Sequence, residues 1–380
     1  MKIAIVHDWL TNMGGAEKII QLLHKMYPAA PIYTLLYNGD KMPADFQQMD
    51  IKTSFLQKLP LAKTKHQLYL QLMPAAIEQF DLSQYDMVLS SSTACAKGVL
   101  TRAGTCHVCY CNTPMRYAWD FYHEYQKNKN WLARAYIAHQ LHKIRIWDRV
   151  AADRVDYFVA NSNNVARRIQ KHYRRNAKVI YPPINTEYFI PGTYSGNYFL
   201  CAGRLVGYKK VDLAVRTFSR LNLPLRIVGE GPEYKVLKAM AGPTVTFLGR
   251  VPDQELLKLY QQCRAFVFPG EEDFGIAPLE AQACGRPVIA YDRGGALETV
   301  VNGKTGIFFT QQTEEALIKA VKDFMAVEHQ LSIGVIRNHA EKFSEERFKE
   351  QLGNYIKEAY QQFNQERRQN DESGLMQQGL

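Results

Sequence analysis

The chain has 380 residues, of which 46% are hydrophobic, 22% charged and 12% aromatic. That mix belongs to a soluble globular protein and excludes disorder, collagen and coiled coil, while the length suits two domains that each bury a core. The net charge of +10 is carried by the first half: residues 1–190 hold 24 Lys+Arg against 14 Asp+Glu, and residues 191–380 hold 23 of each. Such a one-sided field suits an anionic partner (nucleic acid, phosphorylated substrate, acidic membrane) or a solvated basic face.

Met1-Lys-Ile-Ala-Ile-Val-His-Asp8 enters a strand pattern at once, so no signal peptide is expected. Strands are predicted at 2–6, 31–36, 87–90, 107–111 and 157–160, then at 198–202, 225–228, 245–248, 265–268, 287–290 and 306–309. Helical periodicity separates them at 16–26, 165–172, 212–221, 254–261 and 314–326. This alternation predicts an α/β protein with doubly wound parallel sheets. Tyr181-Pro-Pro-Ile-Asn185 must be extended, and Pro191, Gly192, Ser195 and Gly196 read as a linker. The domains are therefore expected at 1–185 and 186–365, facing a cleft, with an amphipathic helix at 345–365 packing back and a frayed polar tail at 366–380.

Seven cysteines are scattered along the chain, and Cys106, Cys109 and Cys111 fall in an apolar strand beside His107. They read as core thiols of a cytoplasmic protein rather than disulfides or a metal site. No apolar run reaches the ~18 residues a membrane span needs.

Gly14-Gly15-Ala-Glu17 opens the first helix after the first strand, where close backbone approach and free N–H groups suit a phosphate. In the second half, Gly203-Arg204 follows a strand and Lys209 stands five residues on. A guanidinium fork and an ammonium can grip a diphosphate without a metal, and the chain has no Asp-x-Asp motif to hold one. The most specific stretch is Phe268-Pro-Gly-Glu-Glu-Asp-Phe-Gly-Ile-Ala-Pro-Leu-Glu280. It places Glu272 in a loop and Glu280 in the following helix, where carboxylates suit sugar and ribose hydroxyls. Glu272 as a helix cap and Glu280 on a solvated face are the plainer readings of each.

Together with the Gly229-Glu-Gly-Pro232 turn, these motifs resemble the retaining nucleotide-sugar glycosyltransferases of family 4, which have the GT-B fold of two Rossmann-like domains facing an interdomain cleft. Tyr110-Cys-Asn-Thr-Pro-Met-Arg-Tyr-Ala-Trp119 and Val179-Ile-Tyr-Pro-Pro183 are similar to mannosyltransferases of bacterial O-antigen and exopolysaccharide assembly. The resemblance implies a hexosyltransferase that takes mannose from GDP-mannose to a polyprenyl-diphosphate-linked saccharide, with no cofactor and no metal. It implies that Arg204 and Lys209 contact the donor diphosphate, with the Gly14 and Gly15 amides at its distal phosphate. It further places Glu280 on the ribose, Glu272 on the transferred sugar, the amides of Phe274, Gly275 and Ile276 along sugar and phosphate, and Arg250 and Val251 by the base. Asn112 stands where the family usually has a His beside the sugar, and Arg116 keeps its place and suits an acceptor phosphate.

Two basic, aromatic-bearing segments, 55–73 and 130–149, read as interfacial helices for an anionic membrane surface or as helices packed on the sheet. Three other readings compete with transfer. A donor-binding protein with weak transfer follows from Asn112. A NAD-type oxidoreductase or epimerase lacks its Gly-x-Gly-x-x-Gly, and a nucleic-acid binder lacks any recognised motif.

Overall fold

The computed structural model describes residues 1–127, 130–193 and 196–378, so Ser195 of the expected linker lies outside the described residues. The chain divides into two compact units: Met1–Tyr181 with the chain from Lys349 onward, and Pro182–Phe348.

The first unit is built on a seven-stranded sheet in the order β3-β2-β1-β4-β5-β6-β7. Its strands are β1 Ile3–His7, β2 Ile32–Thr34, β3 Ile51–Thr53, β4 Met87–Ser92, β5 Cys106–Cys111, β6 Tyr157–Ala160 and β7 Ala177–Val179. Every pairing is parallel, with Ile5 opposite both Ile32 and Leu89. Strands covered on both faces read as unbroken apolar runs, and β1, β4 and β5 are buried at every residue. The edge strands β3 and β7 add to the strands expected from the sequence. Each has only three residues and carries an exposed lysine at its centre, so it leaves little apolar signal.

The second unit has a six-stranded parallel sheet in the order β10-β9-β8-β11-β12-β13. Its strands are β8 Phe199–Ala202, β9 Leu225–Val228, β10 Val245–Gly249, β11 Phe266–Phe268, β12 Val288–Tyr291 and β13 Gly306–Phe309. Phe199, Phe218 and Phe324 meet at centroid distances of 4.9 and 5.9 Å in its core, and burying each such ring contributes about 1.5–3 kcal/mol. In both sheets the strand order reverses beside the first strand, at β1/β4 and at β8/β11. In open parallel sheets, the carboxyl ends at such a reversal are where ligands bind.

The first unit invests heavily in buried charge. Asp8, just after β1, accepts from the backbone N–H of Thr93, Ala94, Cys95 and Ala96 and from the Thr93 hydroxyl. Those contacts fix the loop that follows β4. At the far end of that loop Lys97, 1% exposed, pairs with fully buried Asp148, and its ammonium also donates to the Ala94 carbonyl at 2.7 Å. Trp119 and Tyr173 donate to the other Asp148 oxygen at 2.7 and 2.9 Å. A buried pair of this kind holds only because nearly every remaining lone pair and proton is satisfied.

Two expectations change. Segment 55–73 is not an amphipathic helix: it forms short 3₁₀ turns at Phe55–Lys58 and His66–Tyr69, and Met73 opens the next helix. Pro60 lacks the N–H that a continuous helix needs there. The C-terminal helix is not frayed after 365 but runs from Glu345 to Gln378. Phe348, Leu352, Ile356 and Ala359 lie on one face and are buried, with 2% exposure or less. Segment 130–149 does lie in a helix, Trp131–Ala152. Its second half packs through Ile144 and Trp147 against the sheet, while Trp131, Leu132 and Tyr136 at its start are 60% exposed or more.

Candidate active site

In the second unit the reversal point gathers the charged residues. Arg204 and Lys209 follow β8, and Glu272 follows β11, its neighbour in the sheet. The Lys209 ammonium donates to Glu272 Oε1 at 2.7 Å, both side chains being about one-fifth exposed. Burial works against the charge on Lys209, but the Glu272 carboxylate outweighs it and holds the ammonium above its usual range. Glu272 is therefore not the helix cap: Gly275 occupies that position, with no side-chain cap. Arg204 is exposed and, among the described residues, has no carboxylate partner.

Glycine allows this crowding. A Cβ on Gly270 would stand 2.6 Å from Lys209 Cα, so only glycine lets the β8 loop lie against the end of β11. A Cβ on Gly295 would meet Phe274 Cα at 2.2 Å, which fixes the loop carrying Phe274, Gly275 and Ile276. Helix Ile276–Ala283 begins there, and its first amides have no intrahelical acceptor. Glu280 is 8% exposed rather than on a solvated face, and it accepts from the Tyr260 hydroxyl at 3.1 Å. Burial first, and then this carboxylate, push the Tyr260 phenol far above its ordinary range. Arg250 and Val251 follow β10 at the sheet edge, two strands from β8. Just before them, the Gly249 carbonyl accepts from Gly229 N–H at the end of β9, at 2.7 Å.

In the first unit Gly14 caps helix Gly15–Met26 without a side-chain bond, and Glu17 Oε2 lies 2.9 Å from where a Gly14 Cβ would stand. Asn112 follows β5; its side-chain N–H donates to Ser91 Oγ at 2.9 Å, and its carbonyl accepts from Asn161 at 2.8 Å. Its own Oδ1 has no partner among the described residues and suits a hydroxyl donor. The Arg116 guanidinium lies 4.1 Å over the Phe121 ring. The loop from 112 to 121 is fastened to helix Asn163–Tyr173 by Arg168, which donates to Thr113 at 2.8 Å and pairs with Asp120. Burial would raise the Asp120 carboxyl, but His172 and Arg168 overcome it and bring it down to about 2.

Cys109 and Cys111 lie in the β5 core, where burial pushes their thiols up. His107 is fully buried: its Nε2 meets the Ser90 hydroxyl at 2.8 Å and its Nδ1 the Arg154 carbonyl at 3.4 Å. Burial lowers it to about 4, so it is a neutral structural imidazole. Nothing local in the sequence marks Asp8, His7, Ser91, Arg168 and Tyr260 as partners, because each is defined by a contact made outside its own strand, helix or loop.

Comparison with known proteins places this geometry in a family. Residues 13–188 match the family described as Glycosyltransferase Family 4, and residues 190–349 the family described as Glycosyl transferases group 1. A GDP-mannose-dependent alpha-(1-6)-phosphatidylinositol monomannoside mannosyltransferase of Mycolicibacterium smegmatis is 35% identical over 145 residues, 33% of this chain and 38% of that protein. A GDP-mannose-dependent alpha-mannosyltransferase of Corynebacterium glutamicum is 39% identical over 106 residues, 28% of this chain and 25% of its own. The matches thus span well under half of either relative. In fold, Anabaena Alr3699/HepE in complex with UDP superposes with a TM-score of 0.72 at 17% identity, covering 94% of this chain and 100% of that one. Membership removes the NAD-type oxidoreductase or epimerase reading. The chain belongs to the family 4 glycosyltransferases and has the GT-B fold.

Proposed function

We infer that this protein moves mannose from GDP-mannose, with retention at the anomeric carbon, to a polyprenyl-diphosphate-linked saccharide in O-antigen or exopolysaccharide assembly. The observation that carries the donor side is the Lys209–Glu272 pair at the β8/β11 reversal, with Arg204 exposed in the same loop after β8 as Lys209. Mannosyl transfer is supported by the two GDP-mannose-dependent relatives.

In the scheme we favour, the bond from the sugar carbon to the donor phosphate breaks as the acceptor hydroxyl bonds to the same face. The hydroxyl proton passes to the departing phosphate oxygen. Lys209 is shared between Glu272 and that phosphate, and Arg204 adds a second cation. Charge aimed at a leaving group in this way contributes several kcal/mol. Glu272, held by Lys209, accepts from sugar hydroxyls, Glu280 from the ribose, and Asn112 Oδ1 from the sugar or acceptor. Counter-charge comes from these cations without a metal, in keeping with the missing Asp-x-Asp.

The test is a donor panel of GDP-mannose, UDP-glucose and UDP-N-acetylglucosamine with a polyprenyl-diphosphate saccharide, with and without EDTA. Retained-configuration mannose, unaffected by EDTA, is expected; transfer from no donor overturns the reading. Asn112 favours one second reading, tight donor binding with weak transfer, since an amide cannot carry the charge of an imidazolium.

Among the described residues no helix is long and apolar enough to cross a membrane. Peripheral attachment to the inner membrane face is our reading of exposed Trp131, Leu132 and Tyr136 beside Arg134, and of Leu61 and Leu68 among Lys58, Lys63 and Lys65. Salt-sensitive pelleting with anionic vesicles is expected, and no pelleting at low salt removes it.

A further inference from the structure

His7 ends β1 at the reversal point of the first sheet and is 1% exposed. Its Nδ1 lies 3.0 Å from the Ser91 carbonyl, which can only accept, so Nδ1 carries a hydrogen. Its Nε2 lies 3.6 Å from Glu17 Oε1 on helix Gly15–Met26. A carboxylate there also only accepts, so the arrangement is satisfied best when Nε2 is protonated as well. The other charged group that acts on the ring, Asp8, is turned to the Thr93–Ala96 donors, and β4 presents the Ser91 carbonyl to it. Burial opposes the charge on His7, but Glu17, then Asp8 and Ser91, overcome it and raise the imidazole above its ordinary 6.5.

The pair stands beside the two features expected to meet substrate. Glu17 lies against the Gly14 turn, and Ser91 links the ring to Asn112, since its carbonyl takes the His7 hydrogen while its hydroxyl takes that of Asn112. Both proposed substrates bear phosphate. Protonated, the pair is neutral; deprotonated, it leaves an unbalanced Glu17 charge at this edge of the sheet.

We propose that His7 and Glu17 form a proton-gated charge pair, which admits a phosphate-bearing substrate to the first unit when His7 is protonated and repels it when His7 is neutral. The phosphate belongs either to the nucleotide-sugar or to the diphosphate-linked acceptor. By reciprocity, a phosphate bound there draws a proton onto His7. The inference deepens the transferase reading and rests on it. His7 and Glu17 act as positioning residues through charge, so substrate affinity and not kcat carries the effect.

The experiment uses the full chain. GDP-mannose binding is measured by calorimetry from pH 6 to 9, since its diphosphate diester does not titrate in that range, and acceptor KM is measured over the same range at saturating donor. In one of the two arms, wild-type affinity is expected to fall about tenfold as pH rises, the effect of about one unit of pKa coupling. A fall in the donor arm assigns the phosphate to the donor, and a fall confined to acceptor KM assigns it to the acceptor. His7→Gln should show the weak, high-pH affinity at every pH. Glu17→Gln, on a partly exposed residue, should bind tightly at every pH, and the double variant should regain what His7→Gln lost. A purely structural pair would not give that rescue. Identical pH profiles for wild type and Glu17→Gln, or wild-type affinity in His7→Gln, overturn the proposal. No donor binding at any pH strikes the transferase reading itself, and this inference with it.

Discussion

The two sheets share a topology at their reversal points and spend charge differently there. In the second unit the charged groups sit on loops just beyond β8 and β11, partly exposed, with glycines bringing the backbones together. In the first unit the charges at and behind the same edge are buried: Asp8 by five donors, His7 by Ser91 and Glu17, Lys97 by Asp148. One edge leaves Arg204 exposed and the Lys209–Glu272 pair partly exposed, whereas behind the other Asp8 and Lys97 hold the loop after β4 in place. Mutations at Arg204 and Lys209 should therefore cost turnover and those at the buried Lys97, Asp148 and His107 stability, while the His7–Glu17 pair of the first unit acts on affinity as proposed above.

The sharpest break is at Lys209 and Arg204. Replacing either with Ala should lower kcat by about 10²–10³, the usual cost of one group stabilising a leaving charge, with an unchanged unfolding midpoint. Lys209→Ala also leaves Glu272 without its ammonium partner, so its effect should exceed that of Arg204→Ala. Near-normal rates in both would mean the β8/β11 edge does not hold the diphosphate.

Lys97→Met tests the opposite arm. It strands Asp148 as a fully buried carboxylate whose remaining donors are neutral, which should cost about 3–5 kcal/mol in urea unfolding. Replacing Asp148 with Leu in the same chain should recover most of it. Turnover per folded molecule should stay within about twofold, because no substrate contact is lost.

His107 offers a pH test of the same unit. Its folded value is about 4 against an ordinary 6.5. The unfolded chain therefore binds the extra proton, and stability is lost as pH falls from 6.5 toward 4. The full loss is about 3 kcal/mol. His107→Gln should be less stable at pH 7 but show a shallower decline between pH 6.5 and 4, followed by urea midpoints at fixed pH.

How much of this the sequence revealed follows the same division. Arg204 and Lys209 lie just after one strand, and Glu272 and Glu280 sit in the loop after another and in the helix that follows it. Each pair's spacing therefore carries information, although the Lys209–Glu272 contact itself spans 63 positions. The parallel sheets were equally legible through apolar runs, except β3 and β7, whose short lysine-centred edges have no such run. The contacts of Asp8 with 93–96, of Lys97 with Asp148 and of Arg168 with Asp120 join residues 48 to 88 positions apart. Nothing local marks those partners. Segment 55–73 misled because basic and apolar residues alternate there at helical spacing, while Pro60 breaks the backbone pattern.

Tyr260 is where the two styles of charge meet. Its hydroxyl donates to Glu280, a site candidate of the second unit that is itself buried. If Glu280 serves as a ribose contact held in place, Tyr260→Phe should weaken nucleotide binding about fivefold, the worth of roughly 1 kcal/mol for one lost hydrogen bond, and leave kcat unchanged. If Glu280 is instead part of the fold, as Asp148 is, the same change should lower the unfolding midpoint and leave the nucleotide Kd alone. Calorimetry with GDP beside urea unfolding separates the two outcomes. The contact spans a helix and its neighbour rather than a strand loop, so the binding effect should stay the smallest of the series even where the assignment holds.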